Sequence, residues 1–331
     1  MSNGDNTVDL GDPQLTARVA DGVAAVEAML LEEIDRGEQF VIEKALHLTR
    51  AGGKRFRPMM ALLASEYGER PGSYEVIKAA TSVEMVHVAT LYHDDVMDEA
   101  DRRRGVESAN SRWSNSVAIL AGDALLAHAS RLMSQLDTHT VEHFAETFEE
   151  LVTGQMRETI GAGEANPVEH YTAVIREKTA VLIASAAYLG AYHSGATPEN
   201  AARLRKIGSN VGMIFQIVDD IIDIFSDPQE SGKTPGTDLR EGVFTLPVLY
   251  ALQEETEVGD QLRGLLTGPL TEDADVARAL ELLHASGGRA AALADVQAYL
   301  DEVESELDEL PQNAATAALR QLAEFTVKRV G

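Results

Sequence analysis

Val211 to Phe225 reads VGMIFQIVDDIIDIF, an apolar run interrupted by one acid triplet, Asp219, Asp220 and Asp223. A helix through this stretch is apolar on nearly every face, as buried helices are. At 3.6 residues per turn, positions i, i+1 and i+4 fall at about 0, 100 and 40 degrees round the axis, within roughly 6 Å of rise. The three carboxylates therefore form a short ledge. Burying one unpaired carboxylate costs several kcal/mol, and like charges one turn apart add a smaller penalty. A compensating cation is required. Carboxylate oxygens without His or Cys in the run suit a hard ion, Mg²⁺ rather than zinc.

The same spacing recurs earlier, as Asp94, Asp95 and Asp98 in LYHDDVMDEADRRRG, Leu91 to Gly105. An acidic chain readily places one such triplet at a solvated helix end. Two copies with identical spacing argue for metal chemistry instead.

The chain has 331 residues, a formal net charge of -26, no cysteine and 44% hydrophobic residues. The acidity argues against a nucleic-acid partner and against attraction to an anionic membrane surface. Without cysteine there are no disulfides and no thiol chemistry. No run of 18 apolar residues marks a membrane span. The start, MSNGDNTVDLGDPQ, carries no basic and apolar signal segment; residues 1–13 read as a disordered leader and the protein as cytoplasmic.

Helical periodicity runs nearly throughout. Gln14 to Arg36 has apolar residues at Leu15, Val19, Val23, Val26 and Leu30, a three-to-four spacing. Further helices are predicted over 38–50, 58–69, 74–99, 114–135, 139–161, 168–193, 198–226 and 244–254, with several after 258. Pro58, Pro167 and Pro198 stand at helix starts, Thr197 as an N-cap before Pro198, while Pro13, Pro71, Pro228, Pro235, Pro269 and Pro311 fall in connections. Strand-like alternation is absent. The expectation is one all-α domain over 14–331, with a functional loop at Gly232 to Gly242.

Only seven lysines occur, so the clustered cations carry information. GGKRFRP, Gly52 to Pro58, places Lys54, Arg55 and Arg57 at a helix junction. A helix C-terminus attracts such residues anyway, yet three cations in four residues stand out here. Arg102, Arg103 and Arg104 follow the first ledge, where guanidiniums either pair with Glu99 and Asp101 or grip phosphate oxygens. Lys178 and Thr179 in REKTA enter an apolar run, a setting in which lysine snorkels or meets an anion. Gln216 precedes the second ledge by three residues, as a core hydrogen-bonder or a polar stabiliser of reacting charge. His87, seven residues before Asp94, is by type more often structural than a ligand.

Together these segments resemble the trans-isoprenyl diphosphate synthase, or polyprenyl synthetase, family. Five motifs stand in the family's order between about 50 and 250: GGKRFRP, EMVHVATLYHDDVMDEADRRRG, REKTA, FQIVDDIID, and GKTPGTDLREG followed by TLP. The resemblance implies an all-α single-domain bundle around a deep central cavity, the isoprenoid synthase type, assembled as a homodimer, with the two Asp-rich helices facing each other across the cavity mouth. It further implies Mg²⁺-dependent head-to-tail condensation of isopentenyl diphosphate with an allylic diphosphate. Asp94, Asp95, Asp98, Asp219 and Asp223 then hold about three Mg²⁺ ions, and Arg103, Lys178, Lys233 and Asp220 serve the allylic diphosphate. Lys54, Arg57, His87 and Arg104 bind the diphosphate of isopentenyl diphosphate. Lys178, Thr179 and Gln216 act at the reacting allylic carbon.

Two departures from the family's pattern stand out. Val243 occupies a position where the family often has lysine, and Gly154 to Glu158 reads GQMRE where many members carry Gly-Glu-x-x-Gln. In the family an aromatic residue four or five positions before the first Asp stops growth early. Here those positions are Thr90 and Ala89, with Val86 a turn below, so the resemblance implies a product of C20 or longer. The remaining readings are a class I terpene cyclase, against which the second diphosphate set argues, and a non-catalytic subunit of a heteromeric prenyltransferase, against which both intact ledges argue.

Overall fold

The computed structural model describes residues 10–226 and 235–329. Its helices are α1 (Pro13–Ile34), α2 (Gln39–Arg50), α3 (Phe56–Ser65), α4 (Tyr74–Met97), α5 (Ala109–Arg112), α6 (Asn115–Ser134), α7 (Thr138–Ile160) and α8 (Pro167–Ile175). A π-turn, Arg176–Ala180, joins α8 to α9 (Val181–Ser194). There follow α10 (Pro198–Phe225), α11 (Thr237–Glu241), α12 (Leu246–Leu252), α13 (Glu257–Leu265), α14 (Asp273–Ala285), α15 (Gly288–Asp308) and α16 (Ala314–Lys328).

The chain divides into two compact units. One comprises the chain up to Glu149 with Leu182–Gly208 and Glu309–Leu319; the other comprises Glu150–Val181, Ser209–Asp308 and the stretch from Arg320. The expected segment 14–331 is thus woven from alternating stretches rather than divided at a linker.

In the first unit α4 is the central helix. From Val76 to Ala89 nearly all its residues are buried, including the polar Thr81, Ser82 and Glu84, because α1, α3 and α6 pack around it. Large side chains such as Leu15, Leu63, Met85, Tyr92, Leu125 and Leu132 fill the space between. Close crossings depend on missing side chains: a Cβ on Gly190 would stand 2.0 Å from the Ala61 carbonyl oxygen, so α9 meets α3 backbone to backbone. The second unit has its own core, in which Ile224, Leu239, Val248, Leu262, Val276 and Leu283 meet.

Local signals explain the element ends. Asn166 accepts from the Val168 and Glu169 amides ahead of Pro167, and Thr197 accepts from the Asn200 amide, which satisfies donors a helix start leaves open. Three expectations are corrected. Pro13 lies in a helix, not a connection: Asp12 caps the Leu15 amide at 2.7 Å and α1 starts there. Leu10, inside the expected leader, is buried; residues 1–9 lie outside the described chain. The expected loop 232–242 contains α11, bracketed by Gly236 and Gly242 at φ 76 and 77, left-handed positions that glycine occupies without strain.

A two-stranded ribbon is also present, β1 (Arg102–Arg103) against β2 (Val106–Glu107). Arg104 and Gly105 turn it with φ 51 and 79, the paired positive values of a tight two-residue hairpin. Among the described residues one helix, α6, is long and apolar enough to cross a membrane by length and composition. One face of it, Ala118, Gly122, Leu125, Ala129 and Leu132, is buried in the first unit.

Candidate active site

The first aspartate set sits at the end of α4. Asp94 and Asp95 occupy its last turn and Asp98 caps it, donating its amide to the Asp94 carbonyl at 2.8 Å. The ledge is graded in exposure: Asp95 is fully buried, Asp94 half-buried and Asp98 exposed.

The hairpin supplies the countercharge. Arg103, the last residue of β1, turns back to Asp95, Nε to Oδ1 at 2.6 Å, with its Nη2 4.0 Å from Asp98 Oδ2. Arg104 turns the other way and donates to the Leu48 carbonyl at 3.2 Å. Arg102 is exposed and bonds Gly105. Burial raises the Asp95 pKa from its ordinary value, and Arg103 opposes that rise. Tyr92 anchors the base of this arrangement, its hydroxyl donating to the Lys44 carbonyl at 2.6 Å and accepting from the Leu48 amide at 3.0 Å.

Arg57, Arg104 and His87 form a second cationic group in the same unit. Arg57 is pushed down to about 10, by burial first and by Arg104, while Glu84 opposes the shift. Its Nε is sealed from solvent and has no hydrogen-bond partner. His87 is held well below the ordinary imidazole range, by burial and then by the fields of Arg57, Arg104, Arg55 and Arg103. Lys54 is exposed at the edge of the same turn. Glu84 was not singled out by sequence, since a lone glutamate in an acidic chain carries no signal.

The product-length positions are placed on α4. Ala89 and Val86 are buried, and Thr90 bonds its own helix at the His87 carbonyl, 2.8 Å away. Across from them, Gly122 lets α6 approach: a Cβ there would stand 2.4 Å from His93 Nε2.

The second aspartate set lies inside α10 and belongs to the other unit. Asp220 and Asp223 are buried, and Asp219 is partly exposed. Asp220 accepts from Gln216 Nε2 at 3.0 Å and from the Tyr171 hydroxyl, so both its oxygens face donors of the chain itself. Thr179 continues the chain of bonds, donating to Gln216 Oε1 at 3.2 Å. Burial, with Asp238 and Asp219 adding repulsion, lifts Asp220 to about 8 against the pull of Tyr171 and Gln216. Asp223 accepts from the Asp238 amide at 3.3 Å, which ties α11 to the ledge. Arg329 Nη2 stands 3.0 Å from Asp219 Oδ1.

Lys178 lies in the π-turn, whose ring closes from the Val181 amide to the Arg176 carbonyl; such turns frequently mark functional sites. Gly154 permits it, since a Cβ there would stand 2.8 Å from the Lys178 nitrogen. Lys178 pairs with Glu158 at 2.5 Å, and Arg157 grips Glu177 through Nε and Nη2 at 2.9 and 3.0 Å. The GQMRE departure thus supplies both partners of the REKTA segment. Val243 is exposed. Lys233 lies outside the described residues.

Whether each set suits a cation can be read from its own oxygens. Asp95 Oδ2 is buried without a hydrogen-bond donor, and the buried Asp219 Oδ1 has the Arg329 ion pair but no aligned hydrogen bond, an arrangement that a metal ion relieves. Among the described residues no three acidic or imidazole groups converge at ligand spacing. Mg²⁺ is typically held through one or two carboxylates and completed by phosphate oxygens.

The model of the polyprenyl synthetase family matches residues 38–283. The chain belongs to the polyprenyl synthetase family. As a polyprenyl synthetase it is a prenyltransferase, and its helical fold is that of the isoprenoid synthases. It is 50% identical to the nonaprenyl diphosphate synthase of Mycobacterium tuberculosis, over 98% of this chain and 97% of the relative. A dimethylallyltranstransferase of the same organism is 43% identical over 97% of this chain and 98% of its own length. Among solved structures, geranylgeranyl pyrophosphate synthase from Corynebacterium glutamicum, complexed with calcium and isoprenyl diphosphate, superposes with a TM-score of 0.91 at 65% identity. The match covers 98% of this polyprenyl synthetase and all of that chain.

Proposed function

We propose that the protein condenses isopentenyl diphosphate with an allylic diphosphate, head to tail, releasing diphosphate and an all-trans product of C20 or longer. The observation that carries this reading is the coexistence of two aspartate sets, each with a buried carboxylate oxygen that lacks an aligned hydrogen bond, and a separate group of half-buried cations, Arg57 and Arg104 beside His87. A cyclase needs only the former. A non-catalytic subunit needs neither.

Asp94, Asp95, Asp98, Asp219 and Asp223 are the residues that would hold Mg²⁺, which neutralises the diphosphate as it departs from the allylic carbon. Arg103, Lys178 and Lys233 add positive charge to that same diphosphate; Lys178 reaches it by leaving Glu158. Asp220 keeps Gln216 in place, and Gln216 receives Thr179, so an amide and a hydroxyl are presented together in a fixed orientation. Oriented dipoles of this kind stabilise positive charge developing on the allylic carbon. Lys54, Arg57, His87 and Arg104 hold the isopentenyl diphosphate, whose double bond supplies the electron pair for the new C–C bond. A proton then leaves the adjacent carbon for the released diphosphate. Apolar walls exclude water from the cation.

The active form is a cytoplasmic homodimer. Ile119 and Leu120 are exposed on α6, 43% and 65%, and an apolar face of that kind supports association. The face of α6 opposite them packs within its own unit, which supports α6 as a core helix and not a span.

Incubation with isopentenyl diphosphate, farnesyl diphosphate and Mg²⁺, with chromatography of the products, tests the reading. Elongation to C20 or beyond is expected, and a major C15 product sinks the length assignment. Ala89→Phe places an aromatic ring at a buried α4 position and should shorten the product by at least one isoprene unit. Unchanged length in that variant removes Ala89 from the length-setting wall.

A further inference from the structure

Arg55 adopts φ 49 at the start of α3, in the left-handed region that residues other than glycine seldom occupy. Its guanidinium is 8% exposed and spreads over three elements. Nε donates to Glu27 Oε1 on α1 at 3.0 Å, Nη1 to Glu84 Oε1 on α4 at 2.9 Å, and Nη2 to the Thr49 carbonyl at the end of α2 at 3.2 Å.

Glu84, 2% exposed, is also the carboxylate whose field acts attractively on Arg57 and Arg104. Three arginines therefore share one buried negative charge. The one directly bonded to it is Arg55, while Arg57 Nε is left sealed and without a partner. A buried carboxylate needs a bonded countercharge. Arg57 and Arg104 are further cations on which the Glu84 field acts.

We propose that Arg55 is a positioning residue for isopentenyl diphosphate: by occupying Glu84 it keeps that carboxylate from capturing Arg57 and Arg104, whose donors remain available to the incoming diphosphate. The proposal rests on the reading of Arg57, Arg104 and His87 as the isopentenyl diphosphate site. It assigns Arg55 no contact with substrate. It also gives Glu84 a definite role, that of a competitor for the site's cations whenever Arg55 is absent.

Steady-state kinetics of four variants test it. Arg55→Met should raise the KM for isopentenyl diphosphate about tenfold, the scale of losing one charge-assisted contact, with kcat and the KM for the allylic substrate within about twofold of the parent. Adding Glu84→Gln to Arg55→Met should bring that KM back to within about threefold of the parent, because the carboxylate that remains, Glu27, is half-exposed and satisfied by water; the double variant isolates this coupling. Arg55→Lys, which retains a cation on Glu84, should stay near the parent and serves if Arg55→Met does not fold. A role confined to holding the turn predicts the reverse: the double variant is at least as impaired as Arg55→Met, and Arg55→Lys, which cannot span three partners, is impaired as well. Either result overturns the proposal. Arg57→Ala separates the layers. If it leaves the KM for isopentenyl diphosphate unchanged, the assignment of the site itself fails; if it raises that KM while Arg55→Met and Arg55→Lys do not, only the role of Arg55 fails.

Discussion

The two aspartate triplets share one spacing and meet opposite physical conditions. Asp94, Asp95 and Asp98 stand where α4 ends, so the ledge runs from a buried acid to an exposed one, and its countercharge, Arg103, arrives from a hairpin. Asp219, Asp220 and Asp223 stand inside α10, where the run of apolar neighbours buries two of the three. There the buried acids are satisfied mainly by neutral donors: Gln216, the Tyr171 hydroxyl and the Asp238 amide. A motif of fixed spacing therefore says which atoms lie near one another. Its position along the helix decides whether a charge or a hydrogen bond compensates it.

The comparison can be broken most strongly at Asp95 and Asp219, whose buried oxygens lack an aligned hydrogen bond. Asp95→Asn and Asp219→Asn should each lower kcat on the order of 10³-fold, the loss typical of removing a preorganised electrostatic partner of a reacting group. A fall below threefold in either, at saturating Mg²⁺, removes that residue from the metal set. A smaller effect separates the compensation schemes. Arg103→Gln should lower kcat/KM for the allylic substrate about 10²-fold and leave thermal stability nearly unchanged, since the glutamine amide nitrogen takes the place of Nε and still donates to the buried Asp95 carboxylate. Tyr171→Phe should do the converse, lowering stability by about 1–2 kcal/mol through the unsatisfied Asp220 oxygen; chemical denaturation without metal measures it. Equal effects of the two variants on stability would erase the distinction.

The smallest effect provides a baseline for charge burial away from both triplets. His143 is buried in the first unit and bonds the Ser185 hydroxyl at 2.9 Å. Burial, with Arg205 and His139, pushes it down to about 4. A depressed histidine is neutral in both states above about pH 6.5, where it contributes nothing to pH dependence. As pH falls towards 4 the unfolded chain takes up the proton and the folded chain does not. Stability should thus drop by about 1 kcal/mol between pH 7 and 5.5. His143→Gln should flatten that slope in urea titrations, and an unaltered slope rules the residue out.

Much of the fold was legible because helices announce themselves locally. Apolar spacing located α4, α6, α7 and α10 to within about two residues, and the Thr197–Pro198 start needed only its own side-chain oxygen and ring. The misses have equally local reasons. Asp12 before Pro13 is a capping signal that a view of Pro13 as a connector passes over. Arg104 takes a positive φ that arginine does not advertise. Tyr171 and Asp220 are 49 residues apart and Arg55 and Glu84 are 29 apart, so no window of sequence pairs them.

The sequence by itself determined that this chain is helical and that it carries two acid triplets of identical spacing. It also determined which family the chain belongs to, since five motifs in order are a property of the string. Only the tertiary structure decided which of those acids are buried, that Asp220 leans on Tyr171 and Gln216, and that Glu84 is held by Arg55. Spacing along a helix is set by the covalent chain, whereas burial and pairing depend on what other elements bring within a few ångströms.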